Sequence, residues 1–117
     1  MNNLGKLAEL KSIMYLKEKK YIMLDFNYSC RFGEIDIIAQ KKNYIVFIEV
    51  KMRNENSIAQ PREFVDDNKQ RKIIATSGLY LSTHPSKLQP RFDVIEVIFS
   101  GDEIKSIKHL ENAFTLV

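Results

Sequence analysis

Two strand-like segments joined by a polar turn constrain this chain more than any other part of it. Residues 33–51 read GEIDIIAQKKNYIVFIEVK, with β-branched and aromatic residues on both sides of the turn. This pattern predicts two strands that pair around residues 40–43, with a turn longer than the two-residue type. Four ionisable residues interrupt the apolar pattern, where a covered sheet is otherwise apolar: Glu34, Asp36, Glu49 and Lys51.

The remaining segments predict an α/β domain with a mixed central sheet. Apolar residues recur at helical spacing over residues 4–20, and Asn2 or Asn3 can cap that helix. The pattern also predicts a strand over 21–28, a helix from Pro61 to about Leu81, a covered strand over 91–100, and a short edge strand over 103–109. The final seven residues fit a strand or a docked tail. Helix, three strands, helix and one or two further strands make an α/β sandwich with helices flanking the sheet.

The composition is that of a globular protein without disulfides or membrane segments. The length of 117 residues predicts one domain over 1–117, and the hydrophobic content of 44% is ordinary for that class. Cys30 is the single cysteine, which excludes an internal disulfide and a cysteine-based zinc site. The N-terminus lacks the apolar core of a signal peptide, and no apolar run is long enough to span a membrane. We therefore expect a cytoplasmic protein.

The positive charge is mild but clustered. The formal net charge is +3, and the basic residues that are candidates for nucleic-acid contact are Arg31, Arg53, Lys69, Arg71 and Lys72. Clusters of this kind can bind a polyanion. Each cluster taken alone is explained more simply as a solvated surface, because exposed lysine is the norm.

The ionisable residues of the two strands carry the chemical interpretation. Side chains alternate faces along a strand, so pairing around the turn brings the Glu34/Asp36 end opposite the Glu49/Lys51 end. Neighbouring carboxylates repel one another unless a cation joins them. Mg²⁺ takes one or two carboxylates together with water and phosphate oxygens, and a lysine beside it can orient a nucleophile. The alternative is the solvent face of an exposed hairpin with weak ion pairs. The surrounding isoleucines and valines favour central strands instead.

These residues also carry a resemblance. Asp36 on one strand followed by Glu49-Val50-Lys51 on the next is similar to the PD-(D/E)XK nuclease signature. Over nearly its whole length the chain resembles the YraN-like family of bacterial proteins. The residues that match are GEIDIIA, VFIEVK, RFDV at 91–94, Pro61, Glu63, Val65 and Lys69, and, in the first helix, Gly5, Glu9, Tyr15 and Leu16.

The resemblance implies a restriction-endonuclease-like αβββαβ fold, closest to archaeal Holliday junction resolvases. It implies a Mg²⁺ or Mn²⁺ site at Asp36 and Glu49, with Lys51 as the catalytic lysine. It also implies that Glu9 contributes an acid, and a metal ligand, from the first helix. Glu34 matches the family motif, but its role stays open between ligand, support of a ligand and substrate contact. This chain has Ala8 where the family usually has glycine before the glutamate.

These observations lead to three functional hypotheses. The first is a metal-dependent endonuclease that hydrolyses phosphodiester bonds in DNA, with branched and single-stranded forms among its candidate substrates. The second is a module that keeps the nuclease fold and binds nucleic acid or a partner without turnover. The third is a structural interaction domain. A homodimer is expected if the substrate is a two-fold junction, although no sequence feature requires it.

Other ionisable or reactive residues are predicted to lie outside the catalytic centre. His84 and His109 are predicted to lie on the surface. Cys30 lacks a paired cysteine and a neighbouring histidine, so a thiol nucleophile is not expected. Asp93 is expected to support the site or to pair with Arg91.

Overall fold

The computed structural model describes residues 3–56 and 65–115. Within these ranges the chain forms α1 (Leu4–Glu18), β1 (Ile22–Cys30), β2 (Gly33–Lys41), β3 (Tyr44–Asn54), α2 (Asp67–Thr83), β4 (Gln89–Ser100) and β5 (Glu103–Phe114). The predicted order of elements is confirmed, and it is compatible with a restriction-endonuclease-like core.

The five strands form one mixed sheet in the order β1-β2-β3-β4-β5. All neighbours are antiparallel except β3 and β4, which run parallel and are connected through α2. Residues 91–97 of β4 are all buried. The near-continuous apolar character of this segment therefore predicted its covering on both faces correctly.

One helix covers each face of the sheet. Ala8 and Leu16 of α1 pack with strand residues that include Ile48 and Ile95. A second cluster lies on the opposite face, where α2 packs on the strands through Ile73 and Tyr80; its strand residues include Phe47 and Phe92. Each fully buried side chain of this size stabilises the fold by about 1.5–3 kcal/mol relative to an exposed one.

The turn between β2 and β3 is shorter than predicted. Residues 40 and 41 stay in the ladder, opposite Ile45 and Tyr44, so only Lys42 and Asn43 form the turn. Lys42 has a φ of 53°, in the left-handed region. The prediction of a longer turn is wrong because the polar residues at 40 and 41 pair like strand residues.

The start of α2 also differs from the prediction. Asp66 has an extended backbone, and its side chain accepts a hydrogen bond from the Lys69 N–H at 2.8 Å, so it is the N-cap. The prediction that α2 runs without interruption from Pro61 is therefore wrong, because α2 begins after Asp66. Pro61 itself lies outside the described residues. At α1, Asn3 occupies the N-cap position without a side-chain capping bond, so the cap predicted for it is absent.

The last strand is longer than the predicted edge strand over 103–109. β5 continues to Phe114, so most of the C-terminal segment is strand rather than tail. The Phe114 ring stacks on Phe92 with centroids 5.2 Å apart. This contact buries an apolar side chain at the end of β5 and so holds the end of the strand against the sheet.

A buried polar network connects β4, β5 and α1. Asp93 is fully buried and accepts hydrogen bonds from Arg91 Nε (2.9 Å), Arg91 Nη2 (2.8 Å) and the Asn112 N–H (2.9 Å). His109 Nε2 lies 2.7 Å from Asp93 Oδ2, and its Nδ1 lies 2.9 Å from the hydroxyl of Tyr15. The predicted pairing of Asp93 with Arg91 is thus confirmed, and the network fixes the second half of α1 to the sheet.

His109 is not the surface residue that the sequence predicted. Its side chain is 6% exposed, because the ring lies between Asp93 of β4 and Tyr15 of α1. His84 is exposed, as predicted. No helix within the described ranges is long and apolar enough to cross a membrane.

Replacing Asp93 tests the stabilising role of this network. Asp93→Asn removes the charge that Arg91 and His109 face, and breaking a buried ion pair costs about 3–5 kcal/mol. We expect that loss in the free energy of unfolding measured by urea denaturation at pH 7. Asp102→Asn, in the exposed turn after β4, is the control and should change stability by less than about 0.5 kcal/mol.

The same comparison has a defined pH dependence. Burial raises the pKa of Asp93, and the hydrogen bonds from His109, Arg91 and the Asn112 N–H lower it by a larger amount. The folded-state pKa of Asp93 is therefore below its usual value. Its contribution is therefore present above about pH 4 and is lost as the pH falls through the folded-state pKa. If Asp93→Asn and Asp102→Asn unfold at the same urea concentration at pH 7, the network does not stabilise the fold.

Candidate active site

The candidate site lies where β2 and β3 separate. Their ladder runs from Lys41↔Tyr44 to Ile37↔Ile48. Beyond that pair, the Val50 N–H donates to Asp36 Oδ2 at 2.8 Å. A side-chain carboxylate thus takes a donor that a regular ladder would offer to the neighbouring backbone.

The alternation of β2 side chains between the two faces of the sheet is interrupted at Asp36. Ile35 packs in the α2 cluster, whereas Ile37 packs in the α1 cluster. The sequence predicted that these two residues share a face, and that prediction is wrong. Strict alternation fails here because β2 leaves the β3 ladder at Asp36.

Two carboxyl groups meet at the separation. Asp36 is half-buried and Glu49 is 8% exposed. The Asp36 carboxyl group, when protonated, can donate a hydrogen bond to the Glu49 carboxylate. Burial raises the pKa of Asp36 to about 7, with the charge of Glu49 and its hydrogen bond adding to the effect and the Val50 N–H opposing it. The structure therefore brings together the two acids of the predicted signature and leaves their repulsion only partly compensated.

Lys69 brings a positive charge to this pair. Its Nζ lies 3.4 Å from Glu49 Oε2, and its side chain is 41% exposed. The Lys69 N–H donates the capping hydrogen bond to the Asp66 carboxylate, which fixes Lys69 in the first turn of α2. The sequence suggested Lys69 only as a phosphate contact, because nothing local shows that the start of α2 faces β3.

Glu9 approaches from the opposite helix. Burial raises its pKa, the charges of Asp36 and Glu34 raise it further, and a hydrogen bond with Asn27 opposes them. Asn27 has a φ of 50° and lies opposite Asp36, between the ladder pairs Phe26↔Ile37 and Tyr28↔Ile35. Asn27 was not identified from the sequence; its signal is an asparagine within an otherwise aromatic and branched strand.

The remaining predicted residues lie around this centre. Lys51 is half-buried, two residues after Glu49 and on the same strand face, in register with Glu96 of β4. Glu34 is exposed at the start of β2. Its charge raises the pKa of both Asp36 and Glu9.

Glu96 is a further buried acid that the sequence analysis did not single out. It is 1% exposed, and its Oε2 lies 3.0 Å from Arg53 Nε. The charge of Arg53, predicted to contact nucleic acid, is thus already matched by a carboxylate. The signal for Glu96 was available: like Glu49, it interrupts an apolar strand.

Three candidate nucleic-acid contacts remain exposed. Arg31 lies in the turn between β1 and β2, and Arg71 and Lys72 lie on α2. The Lys72 side chain faces Gly33 at the start of β2, which places it at the same end of the sheet as the carboxyl pair.

The donor set fits a hard divalent cation. Within residues 3–56 and 65–115, no three Asp, Glu, His or Cys side chains form a ready-made set of metal ligands. Asp36 and Glu49 supply two carboxylates, which suits Mg²⁺, since it usually completes its coordination with water and substrate oxygens. Burial is the largest cause of the raised pKa of Asp36, and the charge of Glu49 adds a repulsion that Mg²⁺ or Mn²⁺ would offset. Glu9 as a third ligand stays a prediction.

Comparison with known proteins places the chain in a family. The model of the Uncharacterised protein family UPF0102 matches residues 8–97, a range that contains every acid of the site. The chain belongs to this family. A UPF0102 protein of Caldanaerobacter subterraneus subsp. tengcongensis is 41% identical over 113 residues, covering 94% of this chain and 93% of that protein. A UPF0102 protein of Clostridium botulinum (strain Langeland) is 42% identical over 118 residues, covering 97% and 95%. The resemblance to the YraN-like family is thereby confirmed.

The partly compensated carboxyl pair predicts that stability depends on pH in an unusual direction. A folded-state pKa near 7 for Asp36 means that the folded chain binds more protons than the unfolded chain between about pH 4 and 7. Stability should therefore fall as the pH rises through this window in metal-free buffer. Asp36→Asn keeps an acceptor for the Val50 N–H and removes the repulsion.

We expect Asp36→Asn to be more stable than the wild type by on the order of 1–2 kcal/mol at pH 8 in EDTA, and equally stable near pH 4. Urea denaturation at both pH values measures this difference. Asp102→Asn, in the exposed turn between β4 and β5, is the matched control and should track the wild type. A wild type that is as stable as Asp36→Asn at pH 8 would contradict the predicted repulsion.

Proposed function

We propose that this protein is a metal-dependent endonuclease that hydrolyses phosphodiester bonds in DNA within the cytoplasm. The observation that carries the proposal is the Asp36–Glu49 carboxyl pair, held at the open end of two covered strands by the Val50 N–H and Lys69. The fold is compatible with a restriction-endonuclease-like core, and Lys51 follows the pair on the same strand face.

Each residue has a role that follows from its contacts. Asp36 and Glu49 would hold Mg²⁺ or Mn²⁺, which supplies Lewis-acid stabilisation of phosphate charge and lowers the pKa of a coordinated water. The Val50 N–H fixes the orientation of Asp36, and Lys69 does the same for Glu49. Lys51 donates a hydrogen bond to the attacking water or to a non-bridging phosphate oxygen, where negative charge develops.

The surroundings suit a polyanionic substrate. Hydrolysis joins the oxygen of one water to phosphorus and breaks one ester bond, so the strand must be held with its backbone next to Lys51. Arg31, Arg71 and Lys72 are exposed cations that can bind neighbouring phosphates. Glu9 adds negative potential behind the carboxyl pair, which strengthens the attraction of a divalent cation.

A second candidate function is a nucleic-acid-binding or partner-binding module without turnover. The observation that favours it is the Lys69–Glu49 ion pair, which places an amine against one of the two predicted metal ligands. A module of this kind would keep the basic residues and the fold while the carboxyl pair serves only to bind Lys69.

Metal binding and cleavage can be separated experimentally. Calorimetry with Mn²⁺ should show binding to the wild type and to Lys51→Ala, and loss of binding in Asp36→Ala and Glu49→Ala, because these lack a carboxylate ligand. Cleavage of branched, single-stranded and duplex DNA with Mn²⁺ should fall at least about 100-fold in all three variants. Lys42→Ala, in the exposed turn at the far end of β2, is the control and should cleave at the wild-type rate.

The outcomes discriminate the two functions. Cleavage at the wild-type rate by both Asp36→Ala and Lys51→Ala would exclude this site as the catalytic centre. DNA binding that weakens with salt, without cleavage under any divalent ion, would support the module without turnover.

A further inference from the structure

An exposed aromatic ring stands at the tip of the turn between β1 and β2. Phe32 is 39% exposed, although phenylalanine is among the residues most often buried. The guanidinium carbon of Arg31 lies 4.8 Å from the centroid of its ring. The ring therefore carries a cation beside it and still presents apolar surface to solvent.

Several contacts fix this turn to α2. The Phe32 N–H donates to Cys30 Sγ at 3.4 Å, and Cys30 Sγ lies 3.8 Å from Thr76 Oγ1. At Gly33, with a φ of 153°, a Cβ would lie 3.4 Å from Thr76 Oγ1 and 3.5 Å from Lys72 Cβ. The backbone at the turn thus lies directly against α2, so the turn that carries Phe32 is positioned before any ligand arrives.

The ring is also at the catalytic end of the sheet. Asp36 follows Phe32 by four residues on β2, a distance of about 13 Å along a strand. Lys72 lies beside the same turn, and Lys69 lies at the carboxyl pair, one helical turn away on α2. A path from Phe32 to Asp36 is therefore bordered by cations on the α2 side.

We propose that Phe32 is a stacking subsite for an unpaired base of the DNA strand that enters the catalytic site. This inference rests on the proposed function and adds a substrate class to it. A base stacks on the exposed surface of the ring, while Arg31 and Lys72 contact the adjacent phosphates. Exposed aromatic rings among cations bind single strands in this way, because every base has a face that can stack.

The subsite distinguishes single-stranded from duplex DNA. Bases within a duplex are already stacked on their neighbours, and freeing one costs a few kcal/mol. Single strands, frayed ends and the open centre of a branched molecule present bases without that cost. The Phe32 contact should consequently select for unpaired segments, whereas Arg31 and Lys72 should bind both forms.

Fluorescence of 2-aminopurine in a short oligonucleotide tests the stacking directly. Binding of the single strand and of the matching duplex should be measured in EDTA, so that cleavage does not contribute. Phe32→Leu should weaken single-strand binding roughly tenfold or more and remove the quenching of 2-aminopurine, with duplex affinity changed less than about twofold.

Tyr44→Leu is the matched control. Tyr44 is also 39% exposed and has an arginine, Arg91, 5.0 Å from its ring centroid, but it lies at the start of β3, at the other end of the sheet. It should leave both affinities unchanged. Arg31→Gln should weaken both forms and reduce the salt dependence by about one phosphate contact.

The outcomes separate this inference from the proposed function. Wild-type quenching and affinity in Phe32→Leu, or an equal loss for single strand and duplex, would overturn the stacking subsite, and Mn²⁺-dependent cleavage by the wild type would still support the nuclease. A wild type that binds no DNA would overturn both. An unchanged thermal unfolding midpoint in Phe32→Leu verifies that the fold is intact.

Discussion

The hydrogen bond from the Val50 N–H to Asp36 is the contact on which the candidate site depends. It marks the point where β2 leaves the β3 ladder, directly after the Ile37↔Ile48 pair. The separation leaves room for the Asp36 and Glu49 carboxyl groups to face each other where the two strands part. A regular ladder continued through these residues would offer the amide to backbone instead, and Asp36 would lack the donor that fixes it.

The rest of the fold supports an arrangement that is unfavourable by itself. Burial and the charge of Glu49 raise the pKa of Asp36, so this pair is expected to destabilise the folded chain at neutral pH. The apolar clusters on both faces of the sheet, together with the network around Asp93, stabilise the fold against this. The network also fixes α1 through the Tyr15–His109 contact, and so helps to set where Glu9 approaches the pair.

Much of the fold was predictable because the hydrophobic patterns are strong. The types and order of the elements, the antiparallel pairing of β2 with β3 and the double covering of β4 all follow from them. The errors concern polar residues that were predicted to lie in a turn or on the surface and that instead pair in a strand or are buried. Lys41 pairs as a strand residue, and His109 is buried through contacts with residues distant in sequence, which no local pattern reports.

The sequence by itself determined the types and order of the elements and the family, whose pattern spans most of the chain, and it predicted two acids and a lysine on neighbouring strands as the site. Only the tertiary structure decided which groups meet. It brought Lys69 to Glu49, Asn27 to Glu9, and the Phe32 turn to α2. The physical reason is that these contacts join elements far apart in the chain, and their geometry depends on how the helices pack on the two faces of the sheet.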